Sequence, residues 1–428
     1  MPRPSPANKE TPGTPFSRGA QHRAKRSAIL SCAAKLFNTK GARSTTLADV
    51  SDKLGLTKTS LYYYVRTKED LIYQCYAATF ERMHATLDQV ELETDVPLER
   101  VIRVMEQHID TIRDALAGRG DYYAAPIEIA VLPVEQCSFL EIEYLTVFKR
   151  FRGYIRDGIS AGSIRDCHST SAARALLTAL DWSFYWLYEM PESQSSDAKA
   201  AIRTLVTSGL LAGNAHPNAS EATSYDKALN AIEGFNREAQ NRIKQEAFLR
   251  AGIRQFNQKG FSGTSLDDIA ESLNVSKGAF YYHFSNKEAL LMQCYEFGID
   301  QLGGLIDSVA KLDLSPAHKL KRICISTFLS QNSDLGPMIR YNSITSLPPS
   351  LRRQILARTE AHHARLSDLL SAGAAQGEVN VNNMVVVRHL LVGALNGVAD
   401  FHRWRRLDNP IQAASDFFDV FFYGLAPR

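Results

Sequence analysis

Apolar residues recur at helical spacing through most of the 428-residue chain, and period-2 alternation is scarce, so the pattern predicts an all-α protein. Within it one short pattern occurs twice. Leu47, Val50, Leu54, Leu56, Leu61, Val65 and Leu71 are apolar, and so are the seven positions 219 residues later: Leu266, Ile269, Leu273, Val275, Phe280, Phe284 and Leu290. The repeat extends from Lys25–Tyr76 to Lys244–Tyr295 without a gap, and 20 of its 52 positions are identical. A match of that density marks one supersecondary unit duplicated within a single polypeptide.

The punctuation of the repeat predicts its local structure. A first helix over Arg23–Thr39 stops at Gly41, as its counterpart stops at Gly260. Thr46-Leu-Ala-Asp49 and Ser265-Leu-Asp-Asp268 each read as a capping box with Asp in place of Glu, opening a short second helix. That helix closes beside Gly55 in one copy and Asn274 in the other, two residue types that share a tolerance of positive φ. Thr57 and Ser276 then offer an oxygen to cap a third helix. Helix, tight turn, capped helix and a common apolar seam describe a helix-turn-helix.

The polar face of the third helix carries the candidate chemistry. Thr57, Lys58, Thr59 and Ser60, with Ser276, Lys277, Gly278 and Ala279, lie at the end that enters a major groove in such units. A lysine there reaches a guanine edge or a phosphate. Tyr62, Tyr63 and Tyr64, with Tyr281, Tyr282 and His283, form a polar-tipped aromatic run suited to clamping flanking phosphates, although Tyr62 and Tyr281 also suit the core. Lys68 and Lys287 open the fourth helix, where ammonium and helix dipole together favour a phosphate.

Charge sharpens this reading. Arg18–Tyr76 holds eleven Lys/Arg against four Asp/Glu, whereas Arg237–Tyr295 holds eight against six. A strongly basic first copy in a chain of net charge only +3 fits a polyanion-facing surface. The six cysteines are scattered, without CxxC spacing, which points to reduced thiols and away from zinc. No apolar leader and no 18-residue apolar run occur, so a cytoplasmic protein without a membrane segment is expected.

The organisation that follows is a disordered basic tail (1–22), a first DNA-binding head (23–76), a helical body (77–212), a polar linker (213–226), a second head (227–295) and a second body (296–428). The bodies match more weakly at an offset of 215: Leu132-Pro133 aligns with Leu347-Pro348, and Gly162-Ser-Ile with Gly377-Glu-Val.

The stretches Thr45–Leu71 (TTLADVSDKLGLTKTSLYYYVRTKEDL) and Thr264–Leu290 (TSLDDIAESLNVSKGAFYYHFSNKEAL) resemble the DNA-binding domain of the tetracycline-repressor (TetR/AcrR) family of bacterial transcriptional regulators. The resemblance covers about 50 residues per copy. It implies phosphate contacts from Thr46 and Ser265, base reading by the third helix, and backbone contacts from Tyr63, Tyr282, Lys68 and Lys287. Copy one departs from the family pattern at Tyr64 and Val65, where His and Phe are commoner. For the bodies it implies ligand-binding and dimerisation bundles. Ala179–Tyr188 with Ala198–Leu211, and Gly393–Trp404 with Ile411–Leu425, would form an internal pseudo-dimer, leaving a further homodimer open.

Tyr122, Tyr123, Trp182, Tyr185 and Trp186 are the candidate ligand-pocket residues, for an apolar or acyl-CoA-like effector; no cofactor or metal is implied. The function expected is a ligand-released repressor on an imperfect palindromic operator. A DNA-binding regulator or architectural protein without an effector is the alternative. The remote one is a hydrolase using Ser160, whose Gly158-Ile-Ser160-Ala-Gly162 fits GxSxG but follows a helical, charged stretch where an elbow needs a strand.

Overall fold

The computed structural model describes residues 18–126, 129, 132–188, 190–191, 195–213, 237–333, 338–399 and 401–427. The first unit runs α1 (Arg18–Lys40), α2 (Leu47–Leu54), α3 (Lys58–Tyr62), α4 (Lys68–Glu93), α5 (Pro97–Leu116), α6 (Val134–Ser160), α7 (Ser169–Asp181), α8 (Ser183–Trp186) and α9 (Ser195–Ser208). The second runs α10 (Arg237–Gly263), α11 (Leu266–Ser272), α12 (Lys277–His283), α13 (Lys287–Ala310), α14 (Pro316–Gln331), α15 (Pro349–Ala375), α16 (Met384–Asn396) and α17 (Pro410–Tyr423), with 3-10 turns at Tyr341–Ser346 and Phe401–Arg403. Among the described residues there is no strand, only an isolated bridge between Leu211 and Val379.

The caps explain why the heads fold locally. Thr46 accepts from the Asp49 amide while Asp49 accepts from the Thr46 amide, a complete capping box. The second copy differs from expectation: Ser265 accepts from the amides of both Asp267 and Asp268. The tight turns hold Gly55 at φ 63° and Asn274 at φ 54°, and Thr57 and Ser276 cap the third helices through the amides of Ser60 and Ala279. Each head encloses its own core, around Leu61 and Val65 in one and Phe280 and Phe284 in the other.

One expectation needs correction. The first helix begins at Arg18, so residues 18–22 belong to it and not to a tail; His22 packs against the rings of Tyr64 (4.8 Å) and Tyr63 (5.6 Å). The remainder of the expected tail, and residues 214–226 of the linker, lie outside the described residues.

The bodies do not form separate cores. One continuous apolar cluster runs from Leu87 through α7 and α9 of the first body into α14, α16 and α17 of the second. Helices α7 and α9 pack on α16 and α17 as the two halves of a four-helix interface. The sequence placed the first helix of each pair too late. It begins at Ser169 and Met384, capped by His168 and Asn383, and not at Ala179 or Gly393. The Trp-Ser-Phe-Tyr-Trp run falls instead at the break after α7 (Trp182) and in the short α8.

Polar contacts stitch the two bodies where the chain leaves α9 and α17. Leu210 and Leu211 donate to the carbonyls of Phe421 and Phe422 at 2.8 and 3.0 Å, and Leu425 and Ala426 donate to Val206 and Thr207 at 2.7 and 3.0 Å. At the centre of this exchange Gly209 (φ 72°) and Gly424 (φ 67°), 215 residues apart, lie back to back, so a Cβ on Gly209 would fall 2.5 Å from the Gly424 nitrogen.

Candidate nucleic-acid interface and effector cavity

The third helices present their polar faces to solvent. Thr57, Lys58, Thr59 and Ser60 are exposed, as are Ser276, Lys277, Gly278 and Ala279. Tyr63 and Tyr282 are 74% and 87% exposed, while Tyr62 and Tyr281, read in part as core, remain 54% and 48% exposed. Their hydroxyls are therefore available to a ligand outside the fold. In copy one the regular helix ends at Tyr62, and Tyr63 and Tyr64 continue as a turn; in copy two it extends to His283.

The reading helices of the two heads differ at a charged contact. Lys277 pairs with Asp267 at 2.5 Å, which lifts the ammonium above its usual range. The position matching Asp267 in the first head is Ala48, so Lys58 has no equivalent partner there.

Lys68 and Lys287, expected to meet a phosphate, also make contacts within the fold. Both are half-buried and donate to main-chain carbonyls of the preceding turn, Lys68 to Arg43 and Lys287 to Thr264 (2.9 Å). Burial, with Arg43 nearby, lowers Lys287 below its ordinary value, and its ammonium lies 4.5 Å over the Phe261 ring. These lysines lock the turn before the second helix. The same region joins the first head to the second unit. Arg43 of the first lies 5.7 Å over Phe261 of the second, the Ser44 hydroxyl donates to the Thr345 carbonyl, and Gly41 (φ 86°) backs onto Thr345 so closely that a Cβ would approach to 2.6 Å.

Within the first body a cavity, partly open to solvent, lies between α4, α5, α6, α7 and the segment around 121–125. Tyr122 and Tyr123 line it, with Arg82, His108, Thr111 and Tyr188 supplying further polar atoms among apolar side chains. His108 meets the Ser183 hydroxyl at 2.8 Å, and burial drops its pKa to about 4, so it is neutral at pH 7. The other three pocket candidates lie elsewhere. Trp182 and Tyr185 pack on each other, Trp182 faces Gly393 of the second body, and Trp186 stacks flat on His389. Trp182 and Trp186 belong to the interface between bodies, where Gly393 leaves space for Trp182.

Sequence reasoning missed how head and body are joined. The Asn38 amide donates to the Tyr123 carbonyl (2.8 Å) and its oxygen accepts from the Ala125 amide (2.9 Å). Asn257 repeats this with Met338 and Arg340, both at 2.9 Å. The identity of Asn38 and Asn257 in an otherwise apolar helix face was the available signal. Only Asn38 also donates to the hydroxyl of cavity-lining Tyr188, at 3.0 Å.

Ser160 sits at the end of α6 with its hydroxyl bonded to the Arg156 carbonyl, so it follows a helix and not the strand an elbow needs. Among the described residues no His/Cys/Asp/Glu group is arranged to hold a metal, and no helix is long and apolar enough to cross a membrane. All six cysteines are free thiols, with Cys75 and Cys294 occupying matching buried sites.

Residues 29–75 and 248–294 each match the family described as bacterial regulatory proteins, tetR family, and residues 313–414 match a tetracyclin repressor-like C-terminal domain. The HTH-type transcriptional regulator YfiR of Bacillus subtilis (strain 168) is 30% identical over 144 residues, which are 32% of this chain and 67% of that protein. YerO of the same organism is 46% identical over 56 residues (13% of this chain, 19% of the relative). The biofilm operon icaADBC HTH-type negative transcriptional regulator IcaR of Staphylococcus aureus (strain Newman) is 43% identical over 54 residues (13% and 29%). Apart from YfiR, then, the chain spans less than a third of the length of these relatives.

Among solved structures, the TetR family transcriptional regulator PfmR from Thermus thermophilus is 26% identical with TM-score 0.34, covering 41% of this chain and 96% of that one. AibR in complex with isovaleryl coenzyme A and operator DNA is 21% identical with TM-score 0.36, covering 42% and 97%. With its head motif present twice and an all-helical body behind each copy, the chain belongs to the TetR family of bacterial regulatory proteins, as two family units in tandem.

Proposed function

We propose that this protein is a sequence-specific DNA-binding transcriptional regulator, a repressor released by a small effector, acting in the cytoplasm as one chain with two heads. The observation that carries the reading is the pairing of two exposed third-helix faces on bodies fused through one core. A dimer of separate chains must associate before it can address two half-sites; here the association is covalent and intramolecular. The heads would occupy successive major grooves, with centres roughly 34 Å or a multiple apart. Base reading is assigned to Thr57–Ser60 and Ser276–Ala279, and backbone contacts to Thr46, Ser265 and the aromatic runs Tyr62–Tyr64 and Tyr281–His283. The first-body cavity supplies the effector site, and an apolar or acyl-CoA-like ligand that prefers a different head placement would shift the population off DNA.

Because the heads differ in net charge and at Thr59/Gly278, Ser60/Ala279 and Tyr64/His283, the operator is an imperfect palindrome whose first half-site contributes more affinity. Selecting duplexes from a random library and footprinting the winners tests this. Two unequal half-sites on one face of the helix are expected. A perfectly symmetric site with equal half-site energies would remove the asymmetry, and failure to bind any duplex at low salt would remove the whole reading.

A further inference from the structure

Among the described residues, the cavity wall carries a permanent cation without a counter-charge. Arg82, on α4, lines the cavity and spends one guanidinium nitrogen on the Thr111 hydroxyl at 3.2 Å. Its Nε is buried and has no hydrogen-bond partner among the described residues. No Asp or Glu is among the described lining residues, and none of the described carboxylates lies within ion-pair distance of Arg82. The other basic lining residue, His108, is neutral at pH 7. Arg82 is half-buried, but its sealed Nε, in a wall shared with Met83, Leu87, Val104, Ile112, Leu177 and Phe184, is costly unless an acceptor compensates it. The second unit shows that the fold does not require it: the aligned position is Gln301, and Thr327 aligns with His108.

We infer that the first-body cavity is built for an amphipathic monoanion, whose carboxylate pairs with Arg82 while its hydrocarbon part lies against the apolar wall. This deepens the effector reading and rests on it. Thr79 and Thr111 already donate their hydroxyl protons to the carbonyls of Ala124 and Gln107, which leaves the Thr86 hydroxyl on the lining to bond the second carboxylate oxygen. An alcohol of equal length would leave the guanidinium unpaired, and an alkylammonium would meet like charge.

Calorimetric titration of the full chain with decanoate, decanol and decyltrimethylammonium tests this at about pH 7.5, where a carboxylate is fully ionised. Decanoate should bind most tightly and the ammonium least. Arg82→Gln, which copies the second unit, should weaken decanoate by about tenfold or more and leave decanol unchanged. Arg82→Lys should recover part of the loss, and duplex binding by each variant shows that it is folded. The inference is overturned if decanol equals decanoate, if Arg82→Gln has no effect on decanoate, or if none of the three binds. Each of those results leaves the proposal of DNA binding standing, whereas a wild-type chain that ignores duplexes removes that proposal independently.

Discussion

A single side chain separates the electrostatics of the two reading helices. Lys58 and Lys277 occupy matching exposed positions, but among the described residues only Lys277 has a carboxylate, Asp267, against it. That carboxylate opposes an approaching phosphate and occupies the ammonium that would meet it. Asp267→Ala should therefore strengthen the second half-site and steepen the slope of log K against log salt by about 0.9, one additional phosphate neutralised. Ala48→Asp should do the reverse to the first head, and filter binding across a salt series reads both. Lys58→Ala should cost about 1–3 kcal/mol, with altered base preference if it reads a base and a uniform loss if it meets a phosphate.

At the same scale, burial holds His108 neutral down to about pH 4, while in the unfolded chain it takes a proton near 6.5. Between those values the unfolded state binds more protons, so stability declines as pH falls from about 6.5 to about 4, and this contribution changes no further below. His108→Gln should flatten that part of a Tm-against-pH profile. An unchanged profile would mean the ring is solvated.

Among the elements, the first helix of each unit is held to its body by an asparagine that satisfies one carbonyl and one amide of the following segment. Substituting Asn38 by Ala leaves both main-chain groups, and Tyr188, short of a partner. The cost should be about 1–3 kcal/mol, with faster amide exchange in residues 121–125 of the first unit. Asn257→Ala should loosen the second head alone. The caps, turns and seams of the heads were legible from sequence because they are local: Thr57 needs only Ser60, and Asn274 only its own φ. Helices α7 and α16 were misplaced by about ten residues, because their starts depend on His168 and Asn383 as caps, weak signals beside the aromatic run that follows.

For the whole molecule, the fused bodies and touching heads make one assembly of what are elsewhere two chains. Gly209 and Gly424 sit where the two halves cross, at positive φ and in mutual contact. Gly209→Ala adds strain and a backbone clash together and should cost about 2–5 kcal/mol, read as a lowered Tm. It should also weaken binding to a two-half-site duplex more than to a single half-site, because it disturbs how the halves are held. Equal losses on both would place the glycine's role within one lobe.

The sequence by itself determined that the protein is helical, that its reading unit occurs twice, and that each third helix carries a polar N-terminal face, since helix periodicity and capping act over a few neighbours. Tertiary structure decided what depends on distant segments meeting. It bonded Lys68 and Lys287 to the turn before the second helix, sent Trp182 and Trp186 to the seam between bodies, and left Arg82 on a cavity wall with its Nε unpaired among the described residues. No local pattern encodes those outcomes, because each depends on which surface comes to lie opposite.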